Sequence, residues 1–268
     1  MITTSTFSPI GILDSGIGGL LIAKKIKNYM PNECIIYFGD TKNMPYGDKS
    51  QDFIINNSRK IITFLYKKKC KAIVIACNSI VSNALYILQK EFYKKILILN
   101  IIDPIITNEV FFYSKRIGII ATSATIRSNF FQKKIKKYCP HLDIFTKETP
   151  LLAPIIENGF EKKKIHSIIK NYLNHLPSID TLLLACTHYL FLKKEINNFY
   201  RGKVYLIDIQ KIVVQYIQRI LHKNNLLCIH PKKKNTSIFY TSSSRSTFFQ
   251  KKIKNLFGTN ILLEKIFF

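Results

Sequence analysis

The feature that most constrains the fold is a series of short apolar runs that each end in small or polar residues. The first three runs are Ile10 to Leu13, Cys34 to Phe38 and Ala72 to Ile75. Between them, Leu20 to Tyr29 and Asp52 to Lys68 space their apolar residues three and four apart, as amphipathic helices do. Strands that alternate with helices indicate βαβ units and a parallel sheet. The sequence therefore predicts an α/β protein.

A second series of the same kind occupies the middle of the chain. Its predicted strands are Ile96 to Ile102, Ile117 to Ala121, Asp143 to Phe145 and Thr181 to Leu184. Helices are predicted from the turn at Thr122 through Lys137 and from Glu157 to Leu173. The remainder of the chain adds the strands Val204 to Ile207 and Ser237 to Thr241, the helix Ile212 to His222, and a terminal helix and strand.

The two series repeat one spacing. Nearly the same number of residues separates Asp14 from Cys77 as separates Thr122 from Cys186, and each cysteine stands between an alanine and a polar residue. This indicates an internal duplication. We expect two similar, pseudo-symmetric, three-layer α/β domains with mainly parallel sheets. Residues 1–99 and 208–268 are assigned to a first, discontinuous domain, and residues 100–207 to a second.

The net charge of +25 permits two interpretations. Clustered Lys and Arg bind polyanions by neutralising phosphates, so a basic nucleic-acid-binding protein is one alternative. In this chain, however, the Lys and Arg residues are dispersed in short runs. Ile, Asn, Phe and Tyr are abundant too, as expected when an A+T-rich genome favours the codons of these residues and of Lys. The runs are Lys67 to Lys69, Lys133 to Lys137, Lys162 to Lys164 and Lys232 to Lys234. We favour a solvated surface and leave the nucleic-acid alternative open.

Signals for export and for metal binding are not found. Residues 1–9 lack a basic start and an apolar run, and no stretch approaches the roughly 18 apolar residues of a membrane span, which predicts a cytoplasmic protein with no membrane partner. The six cysteines show neither CxxC nor Cys/His ligand spacing. In a reducing compartment they are expected to be free thiols.

Polar residues follow the predicted strands, and in open parallel sheets ligands bind at that edge. These residues are Asp14-Ser15, Asp40, Cys77-Asn78-Ser79, Thr122 and Cys186-Thr187-His188. Two sheets that face each other through these edges would enclose a cleft with a thiol on either wall. Such a pair can invert a stereocentre, because one group removes a proton from one face while the other delivers a proton to the opposite face.

Each motif also has a simpler interpretation. The glycine-rich Asp14 to Gly19 loop could cradle phosphate, but no GK[ST] follows, and a tight strand-to-helix turn explains its glycines. Either cysteine alone is more typical of core packing. The matching contexts of Cys77 and Cys186 favour catalysis, with Asp14, His188 or a carboxylate such as Glu157 as partners. The other cysteines, Cys34, Cys70, Cys139 and Cys228, are interpreted as structural.

At these residues the chain resembles the glutamate racemases of the aspartate/glutamate racemase superfamily. The motifs occur in the expected order nearly end to end. They are Asp14-Ser15-Gly16-Ile17-Gly18-Gly19, Gly39-Asp40, Pro45-Tyr46-Gly47, Ala76-Cys77-Asn78-Ser79, Gly118-Ile119-Ile120-Ala121-Thr122, Pro154-Ile155-Ile156-Glu157-Asn158-Gly159, Cys186-Thr187-His188-Tyr189 and Phe239-Tyr240-Thr241-Ser242.

The resemblance implies an active site in the cleft between two domains, with Cys77 and Cys186 as the proton donor and acceptor pair and with no cofactor or metal. Asp14, Glu157 and His188 would assist them. The substrate glutamate would be held by Asp14, Ser15, Tyr46, Gly47, Asn78, Ser79, Thr187 and His188. A homodimer that supplies D-glutamate for peptidoglycan is implied as well. A racemase for aspartate and a nucleic-acid-binding protein with a decayed site remain the alternatives.

Overall fold

The structure is a computed structural model that describes residues 5–230, 236–243, 247–259 and 261–266, without the side chains of Lys162 and Lys163. The predicted lysine run Lys232 to Lys234 lies outside the described residues. Within the described ranges, no helix combines the length and apolar character that crossing a bilayer requires.

The strands of the described residues are short and lie along the whole chain. They are β1 (Ile10–Asp14), β2 (Ile35–Gly39), β3 (Ala72–Ile75), β4 (Leu97–Asn100), β5 (Arg116–Ala121), β6 (Asp143–Glu148), β7 (Thr181–Leu184), β8 (Tyr205–Leu206), β9 (Ile238–Thr241) and β10 (Leu262–Lys265).

Helices connect most of these strands. The α-helices are α1 (Leu20–Tyr29), α2 (Gln51–Lys67), α3 (Asn78–Phe92), α4 (Asp103–Ile106), α5 (Val110–Tyr113), α6 (Ser123–Arg127), α7 (Phe130–Tyr138), α8 (Leu152–Asn158), α9 (Lys162–Leu173), α10 (Lys193–Phe199), α11 (Ile209–Lys223) and α12 (Thr247–Phe257). Two 3₁₀ helices cover Tyr46–Asp48 and Thr187–Leu192.

The strands form two sheets whose described pairings are all parallel, which confirms the predicted fold class. The first has the order β10-β9-β2-β1-β3-β4 and the second the order β6-β5-β7-β8. The run β2-β1-β3-β4 therefore has the same order as the whole second sheet. The two ends of the chain both contribute to the first sheet, which supports the discontinuous domain; the domain boundaries themselves remain a prediction.

The central strands are buried along their whole length. All residues of β1, β2 and β3 are buried, and so are all residues of β7. Continuous apolar strands of this kind occur where helices cover both faces of a parallel sheet. This burial explains why the strand positions could be predicted from apolar runs alone.

Two predicted helices are wrong because each is divided in the structure. The prediction from Glu157 to Leu173 spans the end of α8 and all of α9, and Gly159 separates them with a φ of +80°. A residue with a positive φ ends a helix, and glycine adopts such a φ most easily. Similarly, the helix predicted through Lys137 divides into α6 and α7 at Asn129, whose φ is +54°.

Candidate active site

Cys77 and Cys186 occupy equivalent places at the carboxyl ends of the two sheets. The amide of Ala76, just before Cys77, donates a hydrogen bond to Leu13 O of β1 over 2.8 Å. The amide of Ala185, just before Cys186, donates to Ile120 O of β5 over 2.9 Å. Each cysteine then precedes a helix, and each is 6% exposed. The duplicated strand order thus puts one buried thiol at the same position of each sheet.

The Cys77 thiol is linked to a buried carboxylate through a serine. Ser15 Oγ lies 3.5 Å from Cys77 Sγ and 3.4 Å from Asp14 Oδ1. Burial, followed by the negative charge of Asp14, raises the pKa of the Cys77 thiol to about 12. Cys77 is therefore protonated at neutral pH in this structure. Its ionisation requires a nearby group that takes the proton.

Asp14 is suited to accept a proton. Burial raises the pKa of its carboxyl above the ordinary value, although nearby His188, the Gly16 amide and the Thr187 hydroxyl act in the opposite direction. The Gly16 N–H donates to Asp14 Oδ1 over 2.9 Å, and the Thr187 hydroxyl donates to Asp14 Oδ2 over 3.1 Å. Asp14 is thus fully buried and held on both oxygens.

The Cys186 thiol has a different set of partners. Cys186 Sγ lies 3.6 Å from His188 Nδ1, and His188 Nε2 lies 2.5 Å from Glu157 Oε1. Burial lowers the pKa of His188, but the Glu157 carboxylate and the Cys186 sulfur outweigh burial and raise that pKa well above its usual range. A cationic imidazole beside a thiol favours the thiolate. The two cysteines therefore differ in their electrostatic surroundings.

Hydrogen bonds between the two sheets bring these sets together in one site. Thr187 donates to Asp14, and the Ile17 amide donates to Glu157 Oε1 over 2.7 Å. A Cβ added to Gly16 would lie 1.7 Å from Glu157 Oε1, so the loop after β1 can approach α8 this closely only with glycine. The charge of Cys186 also contributes to the raised pKa of Cys77, so the two thiols share one electrostatic environment.

Asn78 and Ser79 begin α3 beside Cys77. Asn78 is 3% exposed, and neither Oδ1 nor Nδ2 of its amide has a hydrogen-bond partner among the described residues. Ser79 Oγ lies 2.9 Å from Thr122 Oγ1, which connects the first sheet to the second. Buried polar groups normally have partners, so the Asn78 amide is a candidate to bind a polar ligand.

Tyr46 and Gly47 lie at the edge of this site. The Tyr46 hydroxyl donates to Asp40 Oδ2 over 2.5 Å, so Asp40 holds Tyr46 rather than a thiol. A Cβ on Gly47 would lie 2.6 Å from Thr122 Cβ, so this glycine permits a close contact between the two halves. Thr125 was not predicted from the sequence, although its Oγ1 lies 3.1 Å from that of Thr122. A threonine one helical turn after Thr122 belongs to no motif that would mark it as a site residue.

The remaining cysteines lie elsewhere. Cys70, Cys139 and Cys228 are buried, Cys34 is partly buried, and none of the four forms a disulfide bond among the described residues. In the part of the chain that the structure describes, no three His, Cys, Asp or Glu side chains form a group that could hold a metal ion.

Comparisons with known proteins agree on one family. The family model described as Asp/Glu/Hydantoin racemase matches residues 21–217. The glutamate racemase of Sulfurihydrogenibium sp. is 37% identical over 96% of this chain and 96% of its own length, and that of Lactobacillus acidophilus is 34% identical over 90% of each. The crystal structure of the Francisella tularensis glutamate racemase in complex with D-glutamate has a TM-score of 0.88 and 34% identity, and the match covers 97% of this chain and 98% of that one.

Proposed function

Because this chain belongs to the Asp/Glu/Hydantoin racemase family, we propose that it interconverts L- and D-glutamate, with Cys77 and Cys186 transferring the α-proton. The substrate is supported by the relatives named above, which are glutamate racemases, one of them solved with D-glutamate. The observation that carries the catalytic assignment is that two buried thiols follow equivalent strands and have separate acid–base partners.

In one direction of the reaction, Cys77 starts with its proton and Cys186 acts as a thiolate, which the cation of His188 beside it stabilises. The thiolate sulfur takes the α-proton of one enantiomer, so the Cα–H bond breaks and its electron pair stays on the substrate. The Cys77 S–H bond then breaks and delivers its proton to the opposite face of Cα. No atom is gained or lost, and the product is the other enantiomer.

The reverse direction begins with Cys77 as the base. Its proton passes to Asp14 along the Ser15 hydroxyl, which lies near both groups. A neutral Asp14 no longer opposes the Cys77 thiolate, whereas a charged Asp14 does. His188 then supplies the proton that Cys186 delivers. The two auxiliary sets thus allow each thiol to start in either protonation state.

The polar residues around the thiols would hold glutamate. The unpartnered amide of Asn78 both donates and accepts, so it suits a carboxylate or the ammonium group. The hydroxyls of Ser15, Ser79 and Thr187 and the backbone of Tyr46 and Gly47 would complete the site, together with Asp14 and His188. Each of these residues is buried, so the substrate enters only when the cleft opens.

The cellular role follows from the reaction. We propose that the enzyme supplies D-glutamate for peptidoglycan, that it needs no cofactor and that it acts as a homodimer, as the family resemblance implies. A cytoplasmic location is proposed because both catalytic groups must remain free thiols, which a reducing compartment maintains. Light scattering on the purified protein tests the dimer.

A panel of L-amino acids followed by circular dichroism tests the substrate. We expect loss of optical activity with L-glutamate and no change with L-aspartate. Cys77→Ala and Cys186→Ala should each abolish the signal, whereas Cys139→Ala should keep it. Racemisation of aspartate alone, or turnover by the double variant, would contradict the proposal.

The nucleic-acid alternative has a different test. Binding of duplex nucleic acid that weakens steeply with salt would support that alternative.

A further inference from the structure

A buried tyrosine holds the loop that follows β1. Tyr37 lies on β2, next to β1 in the sheet, and is 0% exposed. Its hydroxyl donates to Gly16 O over 2.7 Å, and its oxygen lies close to the backbone of Gly19, where an added Cβ would stand 3.0 Å from it. Tyr37 therefore holds the beginning of this loop by a hydrogen bond and packs against its end. It was not among the residues that the sequence singled out.

The contact with Gly16 fixes a whole peptide group. Gly16 C=O and Ile17 N–H belong to the same peptide bond, which is planar and trans, so the two groups point in opposite directions. The C=O accepts from Tyr37, and the N–H donates to Glu157 Oε1 over 2.7 Å. Orienting the carbonyl thus orients the amide. Hydrogen bonds in such a series also polarise and strengthen one another.

At the far end of this series of hydrogen bonds, the side chain of Glu157 has little freedom to move. Glu157 Oε1 accepts both from Ile17 and from His188 Nε2, which lies 2.5 Å away, and His188 contacts Cys186. The Gly16 backbone stands so close to Glu157 that even a methyl group would not fit. A rotation of the Gly16–Ile17 peptide would therefore move Glu157 or break its contact.

We infer that Tyr37 is a positioning residue for Cys186: through the Gly16–Ile17 peptide it aligns Glu157 and His188, across the cleft from its own sheet. This inference rests on the proposed racemase activity. Burial and the nearby Asp14 and Glu157 charges raise the pKa of Tyr37 well above its usual range. The hydroxyl therefore remains a donor at every working pH.

Tyr37→Phe removes only this hydroxyl. Tyr240→Phe is the matched control, because Tyr240 is equally buried on the neighbouring strand β9 and its ring packs against Lys68. We expect Tyr37→Phe to lower kcat about ten- to a hundredfold through misalignment. Tyr240→Phe should change kcat by no more than about twofold, because this substitution leaves the surroundings of the two thiols unchanged.

Primary isotope effects separate positioning from a general loss of stability. The substrates are α-deuterated L- and D-glutamate. In the Tyr37→Phe variant, slower proton transfer at Cys186 should raise the primary isotope effect for only the enantiomer that Cys186 deprotonates. In a Glu157→Gln background, Tyr37→Phe should cause no further loss, since both changes act on one series. The inference would be overturned if the isotope effects changed equally for both enantiomers or did not change. Additive losses of kcat in the double variant would overturn it as well.

A second variant covers the case in which Tyr37→Phe does not fold. Incorporation of 3-fluorotyrosine at position 37 keeps the hydroxyl and makes it a stronger donor. It should change the isotope effect for one enantiomer alone. If the isotope effects for L- and D-glutamate both stayed the same, the inference would be overturned. Lack of racemisation by the wild-type protein would instead contradict the proposed function, so the two failures are distinguishable.

Discussion

The Thr187 hydroxyl donates a hydrogen bond to the Asp14 carboxylate over 3.1 Å and joins the two walls of the cleft. Thr187 directly follows Cys186, whereas Asp14 is the carboxylate that serves Cys77. The bond therefore links the loop of one thiol to the base of the other. Because it favours the charged form of Asp14, it counteracts part of the effect of burial.

Replacing Thr187 by valine should shift the pH dependence. Without the hydroxyl, the pKa of Asp14 rises further, so Asp14 stays protonated to a higher pH. A protonated Asp14 cannot accept the proton of Cys77, and we expect the acid limb of the kcat/KM profile to move to higher pH. The rate at neutral pH should fall about tenfold, as for loss of one hydrogen bond to a charged group.

Thr181→Val is the control for that profile. Thr181 is also buried, and its hydroxyl lies 2.8 Å from Ser114 Oγ at the opposite end of β7. This variant should lower the melting temperature and leave the acid limb in place. An acid limb of Thr187→Val that stays in place or moves to lower pH would contradict the role given to Asp14.

Asn78→Ala should weaken substrate binding without destabilising the fold. An unpartnered buried amide costs about 1–3 kcal/mol, so its removal should maintain or raise the melting temperature. Loss of its bonds to charged glutamate should raise KM about ten- to a hundredfold. Thermal unfolding and steady-state kinetics measure the two effects.

Asn100→Ala provides the contrast. Asn100 is as buried as Asn78, but its Oδ1 accepts from the amides of Ile102 and Asp103 over 3.0 and 2.9 Å. This variant should lower the melting temperature and keep KM. If Asn78→Ala instead destabilised the protein and left KM unchanged, Asn78 would be structural.

The two thiols should differ in their reaction with iodoacetamide. Both are 6% exposed, so access does not distinguish them. With a pKa of about 12, Cys77 has a thiolate fraction of roughly 1 in 10⁴ at pH 8. We expect peptide mapping to show Cys186 modified at least about tenfold faster, with the Cys77 rate still increasing above pH 9. A faster reaction at Cys77, or a plateau in its rate below pH 9, would contradict the proposed difference between the two thiols.

The sequence was most informative about the strands and the residues that follow them. The strands β3 and β7 begin and end as predicted, because their apolar runs are buried on both faces and bounded by polar residues. The duplicated spacing around Cys77 and Cys186 predicted two similar halves, and four strands of the first sheet repeat the strand order of the second. These features arise from local patterns that repeat along the chain.

Long-range contacts could not be predicted in the same way. Gly159 divides a helix through its backbone conformation, which apolar periodicity does not report. Asp40 lies just after β2 and Asp14 is the last residue of β1, yet Asp40 holds Tyr46, because the 3₁₀ helix brings that hydroxyl to it. Tyr37 looks like any apolar residue of a buried strand, and only the structure brings its hydroxyl to Gly16.

Deuterium incorporation tests the two-thiol account most directly. L-glutamate is incubated with the enzyme in deuterated water, and early samples are separated into enantiomers for mass spectrometry. Because one thiol removes the proton and the other, exchanged with solvent, delivers a deuteron, the D-glutamate should carry deuterium at Cα while the remaining L-glutamate keeps its proton. Early deuterium in both enantiomers alike, or D-glutamate that retains the original proton, would contradict proton transfer by two opposed thiols.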